Sequence, residues 1–272
     1  MGNSIHIGSD IASLTDLSGA SYGVTVLRGE RDAMAGPQFE ASALPGLGGG
    51  VAFANGFHAR VLSIPAIIIG SSRSDLASKV DAVMALLNPE LGLQYLKFDA
   101  ESDRAWRGSV SGRISRKPKG IVAVEITIPW TCVESAAYST TETSQTITIN
   151  ANPKTFAVPA AGSVAGSAYA LPTWVVKNTS GGTSGALTLQ NTTTGEKVST
   201  TAGIANGTWL RFDAARQILE TSTDSGSTWA AAMSNRGSYR NIPRLKPGAS
   251  NSLTLTGLSS GSVVATYRAR YL

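Results

Sequence analysis

The chain has 272 residues, enough for one large or two ordinary domains at about 100–200 residues each. Hydrophobic residues make up 42%, but charged residues only 15%, against about 25% in an ordinary soluble domain. The surface is therefore rich in Ser, Thr and Gly, or hidden in an assembly, or both. The formal charge of +5 sits wholly in the second half, where residues 141–272 hold 11 Lys and Arg against 5 Asp and Glu while residues 1–140 hold 12 against 13. Those cations are spread out and accompany no nucleic-acid-reading motif, which argues against a sequence reader.

The first residues carry no basic region followed by a long apolar run, so no secretory leader is expected. Gly23-Val-Thr-Val-Leu27 alternates like a strand. An irregular arm follows from Gly29 to about Gly50, with Pro37, Pro45 and the run Gly46-Leu-Gly-Gly-Gly50. A connection this long in a compact domain is usually functional, and an arm reaching a neighbouring subunit is the natural expectation. Asn55-Gly56 marks a turn. Phe57 to Ile69 reads as a strand with Ala59, Val61 and Ile64 on one face, and its apolar tail suits a central position. The tail, Ile64-Pro-Ala-Ile-Ile-Ile69, is far shorter than the ~20 residues of a membrane span.

One helix is expected over Ser74–Asn88. Ser74 is placed to cap it, and Asp75 favours its positive end. Leu76, Val80, Val83, Met84 and Leu87 form one apolar stripe, and Asn88-Pro89 stops it. Strands are expected at Leu93–Phe98, Ala105–Ile114 and Ile121–Trp130. A basic turn, Arg113 to Gly120, separates the last two. The lone cysteine, Cys132, ends a buried strand and reads as a packed thiol, with no disulfide framework. This fits folding in a reducing cytoplasm.

A Ser/Thr/Ala-rich linker is expected over Ser135–Ser144. Beyond it no amphipathic helix is found. Strands are expected at Gln145–Ile149, Lys154–Val158, Thr173–Asn178, Ala186–Asn191, Lys197–Thr200, Thr208–Asp213, Gln217–Thr221, Ser252–Gly257 and Ser262–Ala269. Turn signals such as Ser180-Gly181-Gly182, Asn206-Gly207 and Asp224-Ser-Gly226 separate them. The spacing suggests a β-sandwich of jelly-roll type, with Trp174, Trp209 and Phe212 filling or rimming its core. Ile242 to Gly257 reads as an exposed Pro- and Gly-bearing turn feeding an alternating strand, with Leu253 and Leu255 on the apolar face.

Groups able to do chemistry are scarce. The only histidines, His6 and His58, have no ligand partner at metal spacing. The Gly46–Gly50 run lacks the third glycine and the helix of a dinucleotide loop. Ser109 and Ser111 of Gly108-Ser-Val-Ser-Gly112 sit wrongly for a nucleophile elbow. Glu101 and Asp103 read as a solvated loop rather than a glycosidase pair. Asn178, Asn191 and Asn206 stand in sequons, as chance allows in so Ser/Thr-rich a chain. No catalytic, cofactor or metal residue is assigned, and the chain reads as a structural or binding module rather than an enzyme. Trp229, beside the Asp224 turn, is the best candidate for an exposed aromatic on which a sugar could stack.

The ordered series of features resembles the distal tail (Dit) family of siphovirus-type phages. The likeness runs through an N-terminal β-domain with one flanking helix and a strand leading to Tyr138. It continues through Leu171-Pro-Thr-Trp-Val-Val176, Leu187 to Gly195, and Gly207-Thr-Trp-Leu-Arg-Phe-Asp213. It ends with the Leu245-Lys-Pro-Gly-Ala-Ser-Asn251 turn and the arginine-bearing last strand, Ala265–Leu272. Cys132-Val-Glu-Ser-Ala-Ala-Tyr138 departs from the family's usual Cys-x-Asp-Pro run. The resemblance implies a mainly β fold in two domains. Residues 1–138 would form a β-sandwich or split-barrel ring domain, and residues 145–272 a galectin-like jelly-roll sandwich. It further implies a homohexameric ring at the virion tail tip, folded in the host bacterial cytoplasm. That ring would join the tail tube protein to tail-tip and tail-fibre proteins, and DNA would pass through it without sequence-specific contacts. No membrane and no cofactor are implied. The competing readings are a carbohydrate-binding adaptor contacting host glycan or receptor, and another tail-tube or baseplate adaptor.

Overall fold

A computed structural model describes residues 4–27, 37–43, 50–57 and 59–272. His58 and residues 29–36 and 44–49 of the expected arm, the Gly46–Gly49 run among them, lie outside the described residues. The chain divides into two compact units, one of residues 1–140 with Leu272 and one of residues 141–271. The described residues are mainly β with one α-helix.

The first unit contains β1 (Ile5–Gly8), β2 (Thr15–Asp16), β3 (Val24–Val26), β4 (Pro37–Ala43), β5 (Gly50–Phe57) and β6 (Arg60–Ile69), then helix α1 (Arg73–Leu86). After it come β7 (Gln94–Phe98), β8 (Arg104–Val110), β9 (Ser115–Pro118) and β10 (Ala123–Cys132), and then β11 (Ala137–Ile149), whose first residues belong here. Its main sheet runs β3-β6-β10-β8-β7-β1-β2, with β9 on the leading end of β10. The long pair is β10 with β6, in register from Ala123↔Ile69 to Cys132↔Arg60. On β10, Val124, Ile126, Ile128, Trp130 and Cys132 are buried, as the alternation requires.

On β6 the expected inward face holds for Ile64 and fails for Ala59 and Val61. Arg60, Leu62, Ile64, Ala66 and Ile68 are buried, whereas Val61 is 60% exposed. The strand is apolar on both faces beyond Ile64, so its own pattern does not fix which face turns inward. Asn55-Gly56 is not a turn: it lies within β5, where the register against β4 slips between Gln38 and Phe39. Part of the supposed irregular arm is thus strand, and so is the middle of the basic turn, as β9.

Helix α1 buries Val80 and Val83, with Leu76 and Met84 packed alongside. Its cap is Ser72 rather than Ser74: the Ser72 hydroxyl accepts a hydrogen bond from the Asp75 N–H at 3.1 Å. Asp75 faces back to accept from the Ser71 N–H at 2.6 Å.

The expected linker at 135–144 is largely strand, because β11 runs without a break from Ala137. The rest of β11 joins β12 (Lys154–Val158), β13 (Thr173–Asn178), β14 (Thr188–Asn191), β15 (Lys197–Thr200), β16 (Trp209–Asp213), β17 (Ile218–Ser222), β18 (Ala230–Ala231), β19 (Arg236–Arg240), β20 (Asn251–Thr256) and β21 (Gly261–Tyr271) in the second unit. One sheet runs β18-β17-β16-β13-β21-β11 and the other β12-β20-β14-β15-β19. Trp174, Phe212 and Val263 of the first sheet share one core with Leu189, Val198, Leu253 and Leu255 of the second. This is a β-sandwich. Trp209 is half-buried at its rim, with the Lys177 ammonium 5.0 Å from the ring centre.

Candidate interaction surfaces

The strongest local construction in the second unit is the turn from Ile242 to Asn251. Pro243 offers its carbonyl to the buried Trp174 indole N–H at 3.0 Å. The Asn251 amide, itself fully buried, accepts from the Lys246 N–H at 2.8 Å and donates to the Lys246 and Ala249 carbonyls. Asn191, also fully buried, donates to Asn251 at 3.1 Å and to the Arg244 carbonyl at 2.6 Å. Each polar atom finds a partner, so a prolyl, glycine-bearing loop is held rigidly. Leu245 sits at zero exposure beneath it. Asn191 was only a sequon in the sequence; its buried role has no local signature there.

Beside this turn lies a polar cleft of about 320 Å³ lined in part by Glu196, Gln217, Asn241 and Arg244. Its carboxylate is committed: Glu196 accepts from the Arg244 guanidinium at 2.6 Å and from the Arg244 backbone N–H at 2.8 Å. The guanidinium also lies over the Tyr169 ring. Among the described residues that line it, Glu196 is the one carboxylate.

Trp229 is half-buried rather than fully exposed. The Arg211 guanidinium lies 4.2 Å from its ring centre and is held there by Glu220, 2.7 Å from Arg211 Nε. The adjoining loop is closed by Asp224. Its carboxylate accepts from the Ser222 hydroxyl at 2.6 Å and from the Thr228 hydroxyl and N–H. Those hydrogen bonds, the Ser222 one foremost, hold the Asp224 pKa far below the usual carboxylate range.

In the first unit, Cys132 is fully buried, and burial pushes its thiol pKa up to about 12. At neutral pH it is a packed thiol with no nucleophilic form. His6 pairs with Asp99 at 2.6 Å. Glu101 and Asp103 lie on the short turn between β7 and β8. Among the described residues no group of three His, Cys, Asp or Glu side chains could hold a metal ion, and no helix is long and apolar enough to cross a membrane. Among the described residues the hairpin β4–β5 forms a two-stranded sheet of its own, in which each strand pairs only with the other. Such a ribbon is marginal in water unless something covers it.

Residues 17–132 match the model of a phage tail protein RIFT-related domain. The structure is similar along 98% of its length to that of the Dit protein of phage SPP1, described as a paradigm of the hub adsorption apparatus in phages infecting Gram-positive hosts. The match has a TM-score of 0.72 at 16% identity and covers 99% of that chain. It is also similar to a chain of the phage P2 baseplate in its Ca-activated conformation, with a TM-score of 0.57, 10% identity and 98% of both chains covered. The Sr-activated baseplate gives a TM-score of 0.56 at 10% identity over 97% of both chains. No curated protein matches the chain. The chain therefore carries a phage tail protein RIFT-related domain and, over nearly its whole length, the fold of a siphophage Dit hub protein.

Proposed function

We propose that the chain is a structural component of the phage tail tip that closes into a homohexameric ring, with the first unit as the ring block and the second as a galectin-like jelly roll presented to other tail proteins. The ring would join the tail tube to the tail-tip and tail-fibre proteins and leave a channel for DNA without reading its sequence. The match of residues 17–132 to a phage tail domain carries this reading. Local physics supports it. A self-paired hairpin needs a cover, and the low charge content suits large subunit contacts. One repeated pair of unlike surfaces is enough to close a ring. Negative-stain electron microscopy of the purified chain tests the proposal. A six-fold annulus is expected; monomers at high concentration, with or without a tail-tube protein, would sink it.

A second role, contact with a host glycan at Trp229, would use the part of the ring that its half-buried position beside the Arg211 guanidinium leaves open. The expected outcome is a set of glycan-array signals lost in Trp229→Ala. An array unchanged by that substitution removes the role.

A further inference from the structure

The first unit has a cleft of about 410 Å³ between the leading half of α1 and the β9–β10 hairpin. Leu76, Val80, Ile121 and Val124 contribute its apolar wall, and Arg73 and Arg116 stand at its edge. Ile121 is 68% exposed, the most of any large hydrophobic residue among those described. Lys119 pairs with Glu125 at 3.0 Å, but no carboxylate pairs with Arg73, Arg113, Arg116 or Lys117 among the described residues. The cleft is thus an apolar seat with an unneutralised cationic rim.

At the other end of the same helix the chain carries the complementary shape and charge. Pro89–Leu91 forms a short 3-10 turn, closed by Gly92 at φ 80. Leu91 is 56% and Leu93 42% exposed, with Glu90 exposed beside them and no cation paired to it among the described residues. Two aliphatic side chains and a carboxylate therefore project from one turn. The two features are separated by the length of α1, about 20 Å for 14 residues at ~1.5 Å each. A knob and a seat at opposite ends of one rigid element cannot meet within a chain, and they are the two unlike surfaces that a head-to-tail contact requires.

We propose that the Glu90–Leu93 knob of one copy seats in the α1/hairpin cleft of the next, with Glu90 facing Arg73 and Arg116; this rests on the ring reading and names one of its seams. Burying Leu91 and Leu93 against Ile121 removes three exposed aliphatic side chains of this unit, the most exposed one among them, from water together.

Cysteine pairing tests it in the full chain, since Cys132 is buried and does not compete. Chains bearing Leu91→Cys and chains bearing Ile121→Cys are co-expressed and oxidised with copper–phenanthroline. A disulfide between chains is expected in the mixture and in neither variant alone. Cross-linking of Leu91→Cys with itself would mean a knob-to-knob contact and overturn the proposal. No cross-link in the mixture also overturns it. If rings are nonetheless seen in the microscope, the ring reading survives with a different seam; if no rings are seen, both fall. The double variant Arg73→Glu/Arg116→Glu should weaken self-association at least ten-fold, and adding Glu90→Arg should recover most of that loss. A double variant that assembles like the parent, or no recovery, overturns the charge pairing. Retention of a 20-base-pair duplex by the parent chain but not by the double variant, without cross-linking, would assign the cleft to nucleic acid instead.

Discussion

Leu245 shows how much one side chain can carry. It has no exposure, and its backbone exchanges hydrogen bonds with Ala170 in both directions. Replacing it with Asp would put a carboxylate in the sandwich core with no cation beside it. An uncompensated buried charge costs about 3–5 kcal/mol. Leu245→Asp should therefore lower the thermal midpoint of the second unit sharply, by scanning calorimetry, while Lys246→Asp, one residue on and exposed, should leave it nearly unchanged. Equal midpoints in the two variants would mean that the turn does not pack as described. Asn191 and Asn251 are the polar counterpart of Leu245. Their amides donate to the Arg244, Lys246 and Ala249 carbonyls of the turn, so it is specified by two buried side chains rather than by its prolines alone.

At the scale of elements, legibility followed the strength of the period. Lys154–Val158, Thr173–Asn178 and Lys197–Thr200 are strands at the bounds that their alternation and flanking turns mark. The α1 stripe was equally plain, but its start slipped by two residues, because Ser71, Ser72 and Ser74 are all capable caps and only the Asp75 N–H decides between them. β6 was misfaced because Pro65, Ile67 and Ile69 blur its two sides; its partner β10, with Glu125 and Thr127 on the outer face, settles the register through pairing that the local sequence does not contain. β11 was missed as a strand between 137 and 144 because Ser and Thr serve a solvated strand as well as a linker. β18 and β19 left no signal: the first is two alanines, and the second mixes Gly, Ser and Arg without alternation. The interaction surfaces were legible only in part. The arm and the basic turn stood out, but the cleft depends on bringing Arg73 and Ile121 together, 48 residues apart in the sequence.

At the scale of the whole molecule, each unit has its own buried core, and among the described residues the β4–β5 hairpin pairs within itself. A two-stranded ribbon has two outer edges of N–H and C=O groups, a template that soluble proteins usually cover. In the ring reading the cover is another copy. Glu40→Pro together with Ala41→Pro tests this. These residues pair with Phe53 and Ala52, and of any two successive residues one donates across the ladder, so at least one bond is lost whichever way the pair faces. The doubly substituted chain should keep its thermal midpoint to within about 2–4 °C, the shift that ~1 kcal/mol produces at this size. It should fail to form rings in the microscope. Rings that persist would place the hairpin outside the seam. A collapse of the midpoint would instead make the hairpin part of the first unit's fold, and the need for a neighbour to cover it would disappear.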